Sequence, residues 1–301
     1  MKKELFIPAQ ITKIVTLDPG EIRLIQLTLP KEIELDRATY PVRDTMRPGT
    51  AFLTKPFGAR TQKLRRRMYT RSNSSSGAEL QLETVINYTH LAKADTSLWW
   101  QSEEVMSRQQ KGEPIEVRVE WSGDHSAFEV YENCRVCEPT NLRLEPDEEW
   151  PEMAFVGMAF STGITPFLSY LTYMKQRQFG RLNGSEGAHF TLIASARVEK
   201  QLIEHEEMLR LERQFPGNFR YHPVLTREWP DTWPYTKGRI IRSDSNEALP
   251  PRVDLSRMLE VVPDIGRLHL RMCGNQEARD QLQRGIAQLG VSPLSFRAEV
   301  W

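Results

Sequence analysis

The chain has little cysteine: three residues in 301, at positions 134, 137 and 273. So few thiols, and an odd number, cannot form a disulfide framework. Cys134-Arg135-Val136-Cys137 has no second pair to complete a zinc or iron-sulfur site, so it reads as incidental in a reducing compartment. No run of about 18 apolar residues occurs, and the opening Met1-Lys2-Lys3-Glu4-Leu5-Phe6 lacks the apolar core of a signal peptide. A soluble cytoplasmic protein with no membrane association is expected. Charge of one sign is missing too. The 40 basic and 40 acidic residues cancel, which leaves no global attraction for nucleic acid. The Gly-x-Gly-x-x-Gly dinucleotide fingerprint is absent, and His205-Glu206-Glu207 is no zinc-protease helix because residue 209 is leucine.

What is present suggests two domains, for which 301 residues suffice. In the first half, Ile115-Glu116-Val117-Arg118-Val119-Glu120-Trp121 alternates apolar and charged residues, as a strand with one wet face does. Similar runs cover 22–29 and 80–86, with turns at Pro19-Gly20, Pro48-Gly49 and Lys111-Gly112. One helix is expected over about 97–110, and 29–47 reads as a surface loop. The expectation is an antiparallel β-barrel with one capping helix over 1–147. An acidic, proline-bearing linker at 138–151 then leads into a second domain, 148–301.

The second half changes period. Ala154-Phe155-Val156 is a short apolar strand, a turn follows through Gly163, and Ile164, Phe167, Leu168, Leu171 and Met174 recur at helical spacing. Strand-helix units repeat at 190–215, 219–225 and 268–289, which predicts an α/β domain with a parallel sheet. Such sheets bind ligands at the carboxyl ends of their strands. At those ends stand Thr162-Gly163-Ile164-Thr165-Pro166, a turn that could seat a pyrophosphate, and Arg197, Thr226-Arg227 and Arg239. Three arginines near one sheet edge repel one another unless an anion lies among them, and a 2'-phosphate would serve. Residues 229–235, with two Trp-Pro pairs, read as a surface loop, either one that binds a partner or, more commonly for such a sequence, a rigid turn packing its two indoles against the sheet.

Arg67-Met68-Tyr69-Thr70-Arg71-Ser72-Asn73 places a cation, an aromatic ring and a hydroxyl on one extended segment, a combination that suits a bound flavin. The order of these signals resembles the ferredoxin-NADP reductase family over nearly the whole chain. The family's Arg-x-Tyr-Ser is Arg67-Met68-Tyr69-Thr70 here, its pyrophosphate-capping helix aligns at Ser102, and its nicotinamide motifs are Thr162-Gly163 and Cys273-Gly274-Asn275. Its terminal Glu-x-aromatic is Glu299-Val300-Trp301. Thr70 replaces the usual serine, keeping the hydroxyl and adding a methyl group.

The resemblance implies an oxidoreductase that moves electrons between NADPH and a one-electron carrier such as ferredoxin or flavodoxin through bound FAD. It assigns Arg67, Met68, Tyr69, Thr70, Ser102, Thr162 and Trp301 to FAD. NADP(H) falls to Thr162, Gly163, Arg197, Thr226, Arg227, Arg239, Cys273, Gly274 and Asn275. Thr70, Cys273, Glu299 and Trp301 would frame the reacting atoms, and Trp99 or Trp100 could be a platform for adenine. Arg60, Lys63, Arg65 and Arg66, with Arg71 nearby, form a basic stretch that would dock an acidic carrier. A monomer is expected. Two other readings stay open: an NADH-dependent reductase component of an oxygenase, and a non-catalytic electron-transfer subunit.

Overall fold

The computed structural model describes residues 3–18, 22–35, 38–42, 48–73, 80–87, 95–121, 134–135, 137–144, 150, 153–181, 186–239, 268–288 and 290–300. Two compact units divide it: Met1–Arg143 with Leu168–Tyr173, and Leu144–Phe167 with Met174–Trp301.

The first unit is built on an antiparallel sheet. Its strands are β1 (Lys3–Asp18), β2 (Ile22–Thr28), β3 (Glu32–Leu35), β4 (Ala38–Pro41), β5 (Thr50–Thr54), β6 (Arg67–Thr70), β7 (Gln81–Asn87), β8 (Ile115–Trp121), β9 (Cys134–Arg135) and β10 (Cys137–Pro139). The main sheet runs β10-β5-β8-β1-β2-β7, with β6 on β5 and β9 on β8. Alternation sets the register. Ile115, Val117 and Val119 are buried and pair with Ala9, Ile7 and Leu5, whereas Glu116 is exposed. A one-residue slip would turn this row to water, at roughly 1.5–3 kcal/mol per large side chain. The barrel closes just past β6: Ser72 N donates to Glu83 O on β7 (2.7 Å), and Thr84 Oγ1 donates to Thr70 O (2.7 Å). Arg71 is sealed into that seam, with Nε donating to Asn73 Oδ1 (2.9 Å) and Nη2 to Gln81 O (3.2 Å).

Three expectations need correction here. The single helix is two, α1 (Asp95–Gln101) and α2 (Glu103–Lys111), parted by an extended Ser102 whose Oγ bonds Trp99 O at 2.6 Å. A hydroxyl that takes a helix carbonyl in this way competes with the backbone ladder. Residues 29–47 include the hairpin β3-β4, with Ile33 and Val42 buried. Within the expected linker at 138–151, residues 138–144 and Trp150 form no solvated linker, since β10 pairs with β5 and Leu142, Leu144 and Trp150 are buried, while residues 145–149 and 151 lie outside the described residues.

In the second unit the parallel sheet has the order β14-β13-β12-β11-β15-β16. The elements in chain order are β11 (Ala154–Phe160), α3 (Thr165–Gln176), β12 (His189–Ala196), α4 (His205–Gln214), β13 (Phe219–Leu225), β14 (Thr236–Lys237), β15 (His269–Gly274), α5 (Gln276–Gln288) and β16 (Ser295–Val300). Val156, Met158, Ile193, Val224, Leu270 and Met272 pack with Leu282 and Ile286 of α5. A Cβ at Gly157 would stand 2.9 Å from the Phe190 ring and 3.0 Å from that of Phe167, so glycine permits this close approach to β11. The chain builds outward from β11 through β14, then crosses to β15 on the other side. That reversal is the switch point where open α/β sheets bind ligands.

Candidate functional site

At the carboxyl ends of these strands lies a cavity of about 240 Å³. Arg197 follows β12, Thr226 and Arg227 follow β13, Arg239 follows β14, and Asn275 follows β15; all five line it, with Phe160, Ser161 and Glu277 among the remaining walls. The backbones that carry the arginines are bonded together. Arg227 N donates to Arg197 O (3.1 Å), and Gly238 N donates to Leu225 O (2.8 Å), which places Arg239 next to the end of β13. Arg197 Nε donates to Gln201 Oε1 (3.1 Å), and Asn275 Oδ1 accepts from Ala278 N (2.7 Å) at the start of α5. Three guanidinium groups against one carboxylate give the cavity an excess of positive charge suited to a multiply charged anion.

Other predicted residues sit elsewhere in this unit. Thr162 and Gly163 form a tight turn before α3, with Thr162 O accepting from Thr165 Oγ1 (2.5 Å), and Ser161 reaches the cavity in their place. Cys273 and Gly274 end β15, next to the cavity walls rather than in them. Cys273 stands opposite Glu299 of β16 in register and is buried. Burial, with the Glu299 carboxylate adding to it, pushes the Cys273 thiol well above its usual range, so it is protonated at neutral pH. Trp301 lies outside the described residues.

In the first unit, Arg67 and Met68 of β6 are exposed, and Tyr69 and Thr70 are half-buried. Tyr69 packs on the barrel core, tilted against Phe52 and edge-on to Trp100, with ring centroids 6.0 Å apart in both pairs. Burial raises its phenol pKa, opposed by hydrogen bonds from Trp100 and Thr96. Trp99 and Trp100 are core residues with 1% and 0% exposure, which removes both as surface platforms for adenine. The Ser102 hydroxyl is turned back to Trp99 O, and α2 opens on Glu103 and Glu104, carboxylates that oppose a pyrophosphate at that helix end.

The basic stretch is a short hairpin bridged at Phe57 and Leu64, in which Arg60, Lys63, Arg65 and Arg66 are exposed. Arg71 is buried in the barrel seam and does not belong to that surface. Sequence reasoning missed Asp95, which holds the hairpin: its carboxylate accepts from Arg60 N and Thr61 Oγ1, each at 2.7 Å, and its backbone O from Ala59 N (3.1 Å). The bonds from Arg60 and Thr61 lower its pKa. A side chain at Gly58 would collide with this carboxylate.

Comparison with known proteins decides the class. Residues 159–280 match the oxidoreductase NAD-binding domain model. The chain carries an oxidoreductase NAD-binding domain and has the ferredoxin-NADP reductase fold. The ferredoxin NADP+ reductase from Neisseria gonorrhoeae, a structure with bound FAD and NADP, shares this reductase fold at TM-score 0.61 and 16% identity, over 99% of this chain and 98% of that one. Ferredoxin-NADP+ reductase from Plasmodium falciparum with 2'P-AMP superposes at TM-score 0.62 and 14% identity, over 98% and 96%. The Amycolatopsis cytochrome P450 reductase GcoB gives TM-score 0.62 at 16% identity, over 100% and 71%. No curated protein sequence matches the chain. Among the described residues no helix is long and apolar enough to cross a membrane.

Proposed function

We propose that this oxidoreductase takes hydride from NADPH and passes electrons, through bound FAD, to an acidic one-electron carrier such as ferredoxin or flavodoxin. One observation carries the choice of NADPH: Arg197, Arg227 and Arg239, far apart in sequence, line a single cavity at the carboxyl ends of the parallel sheet. A 2'-phosphate is the part of NADPH that NADH lacks, and its charge matches theirs. Charge-assisted hydrogen bonds of about 1.5–3 kcal/mol each would make that discrimination large.

The residues of the first unit fit a flavin. Tyr69 offers a half-buried ring fixed from behind by Trp100 and Thr96, next to the half-buried Thr70 and the exposed guanidinium of Arg67. When bound, a flavin supplies what no side chain can, accepting electrons as a pair and releasing them singly. Tyr69 and Met68 would bind the ring, Arg67 the pyrophosphate, and Thr70 would donate its hydroxyl near N5. Thr162, whose carbonyl is taken by Thr165, would contribute its hydroxyl, and Ser102, whose N and Oγ both donate to Trp99 O, would reach the flavin only by giving up one of those bonds. In the second unit, Thr226, Gly163, Gly274 and Asn275 would hold the dinucleotide. Cys273 would present a neutral thiol at the nicotinamide end with Glu299 opposite, and Trp301 would cover the flavin until nicotinamide arrives.

Arg60, Lys63, Arg65 and Arg66, on a hairpin with exposed Leu64, make a basic and partly apolar surface for the carrier. The decisive experiment is to purify the protein, record its flavin spectrum, and titrate it anaerobically with NADPH and NADH. Bleaching at far lower NADPH supports the proposal. The reverse preference would favour the reductase component of an oxygenase, and a colourless protein that takes up neither flavin would overturn the reading.

A further inference from the structure

Two of the three cavity arginines stand near the two ends of one excursion of the chain. Residues 226–239 leave the sheet after β13, with Arg227 near the start, and return through β14 to Arg239. The base of the excursion is tied down. Thr226 N and Oγ1 both donate to Ala196 O (2.9 and 3.0 Å), and Thr236 and Lys237 pair in parallel with Val224 and Leu225. Its middle is held by Trp233, 6% exposed and packed with Ala196, Leu202 and Leu225. Ala196 immediately precedes Arg197, and Leu225 lies two residues before Arg227, so one indole rests against the roots of both. Its Nε1 donates to Thr236 O (3.3 Å), three residues before Arg239, and its backbone N donates to Pro230 O (2.9 Å). Beneath it lies the His205 ring at 5.8 Å, inclined 34°, and His205 Nδ1 is itself 3.1 Å from Tyr221 Oη on β13.

We infer that Trp233, seated on His205, is the positioning residue for recognition of the 2'-phosphate, holding residues 226–239 in the one conformation that brings Arg227 and Arg239 to the anion together with Arg197. The inference rests on the reading of the cavity as the 2'-phosphate site. Its physical basis is preorganisation: arginines already in place lose little freedom when the anion binds, whereas those on a loose loop must be ordered at the cost of affinity. A ligand without the 2'-phosphate does not draw on that order and should be indifferent to it.

The test is calorimetric titration of the full-length protein with 2',5'-ADP and with 5'-AMP, for wild type, Arg227→Ala, Trp233→Leu and Trp233→Phe. Trp233→Leu keeps the site apolar but gives up much of the indole's volume and its N–H, and should weaken 2',5'-ADP about 10-fold or more while 5'-AMP changes by less than about 3-fold. Trp233→Phe should restore most of the loss. If the leucine variant does not fold, His205→Leu carries the same expectation at about 3- to 10-fold. An unchanged ratio of the two affinities, or an equal loss of both, in a variant that folds overturns the inference when Arg227→Ala selectively loses 2',5'-ADP. If Arg227→Ala binds 2',5'-ADP as wild type does, the cavity assignment itself fails and the inference with it.

Discussion

The indole Nε1–H of Trp100 donates a 2.9 Å hydrogen bond to the phenol oxygen of Tyr69, and the two rings meet edge-on at 89°. The ring proposed to face the flavin is thus oriented from inside the barrel. Trp100→Phe should lower stability by about 1 kcal/mol from the lost bond, with a further packing loss, and should let flavin dissociate more readily. Urea denaturation and flavin fluorescence on dilution would measure the two effects. Unchanged flavin retention would argue against the proposed role of Tyr69.

Cys273 is buried opposite Glu299 and protonated at neutral pH. It should resist iodoacetamide in the native protein and react only on unfolding, which mass spectrometry of the alkylated peptide would show. Cys273→Ala should slow flavin reduction by NADPH about 10- to 100-fold, the scale on which misplacement of reacting groups acts. Stopped-flow absorbance at saturating NADPH would check this, and an unaltered rate would remove Cys273 from the reacting centre.

The strand-helix alternation of the second half and the period-2 run at 115–121 made both architectures legible, because burial of one face imposes a period on the residues themselves. The arginines at 197, 227 and 239 were legible as a mutually repelling set at strand ends, and they do line one cavity. Asp95 was not legible: its partners, the Arg60 backbone N and Thr61, lie more than 30 positions away and carry no motif. Arg71 misled for a related reason. It looks like its neighbours in a basic run, and only barrel closure assigns it to the interior.

Charge reversal at Arg65 and Arg66 should slow reduction of an acidic carrier at low ionic strength, with the difference from wild type shrinking as salt rises. NADPH oxidation by a small neutral dye should be unaffected. Equal loss in both assays would sink the docking proposal. Gly58→Ala, which forces the Asp95 carboxylate to move, should weaken carrier affinity in the same direction without changing any charge.

Burial holds the His205 imidazole below its usual 6.5, against the opposing pull of Glu206 and Glu199. His222 shifts the same way through burial, with Glu212 opposing and Arg220 assisting. Because the unfolded chain takes up these protons at higher pH than the folded one, stability is complete above about 6.5 and declines as pH falls toward the folded values. Melting temperature should therefore drop with acidification from roughly pH 7 to 5. His205→Gln should flatten that slope, and a slope identical to wild type would contradict the assignment.

Arginine stays charged at any pH a cell meets, so a seam that encloses Arg71 cannot relax by losing a proton. Its guanidinium donates to the chain's own Asn73 and Gln81. Opening the seam there would break those hydrogen bonds with no change of charge to compensate, so the junction of β6 and β7 should hold at any pH at which the barrel is folded.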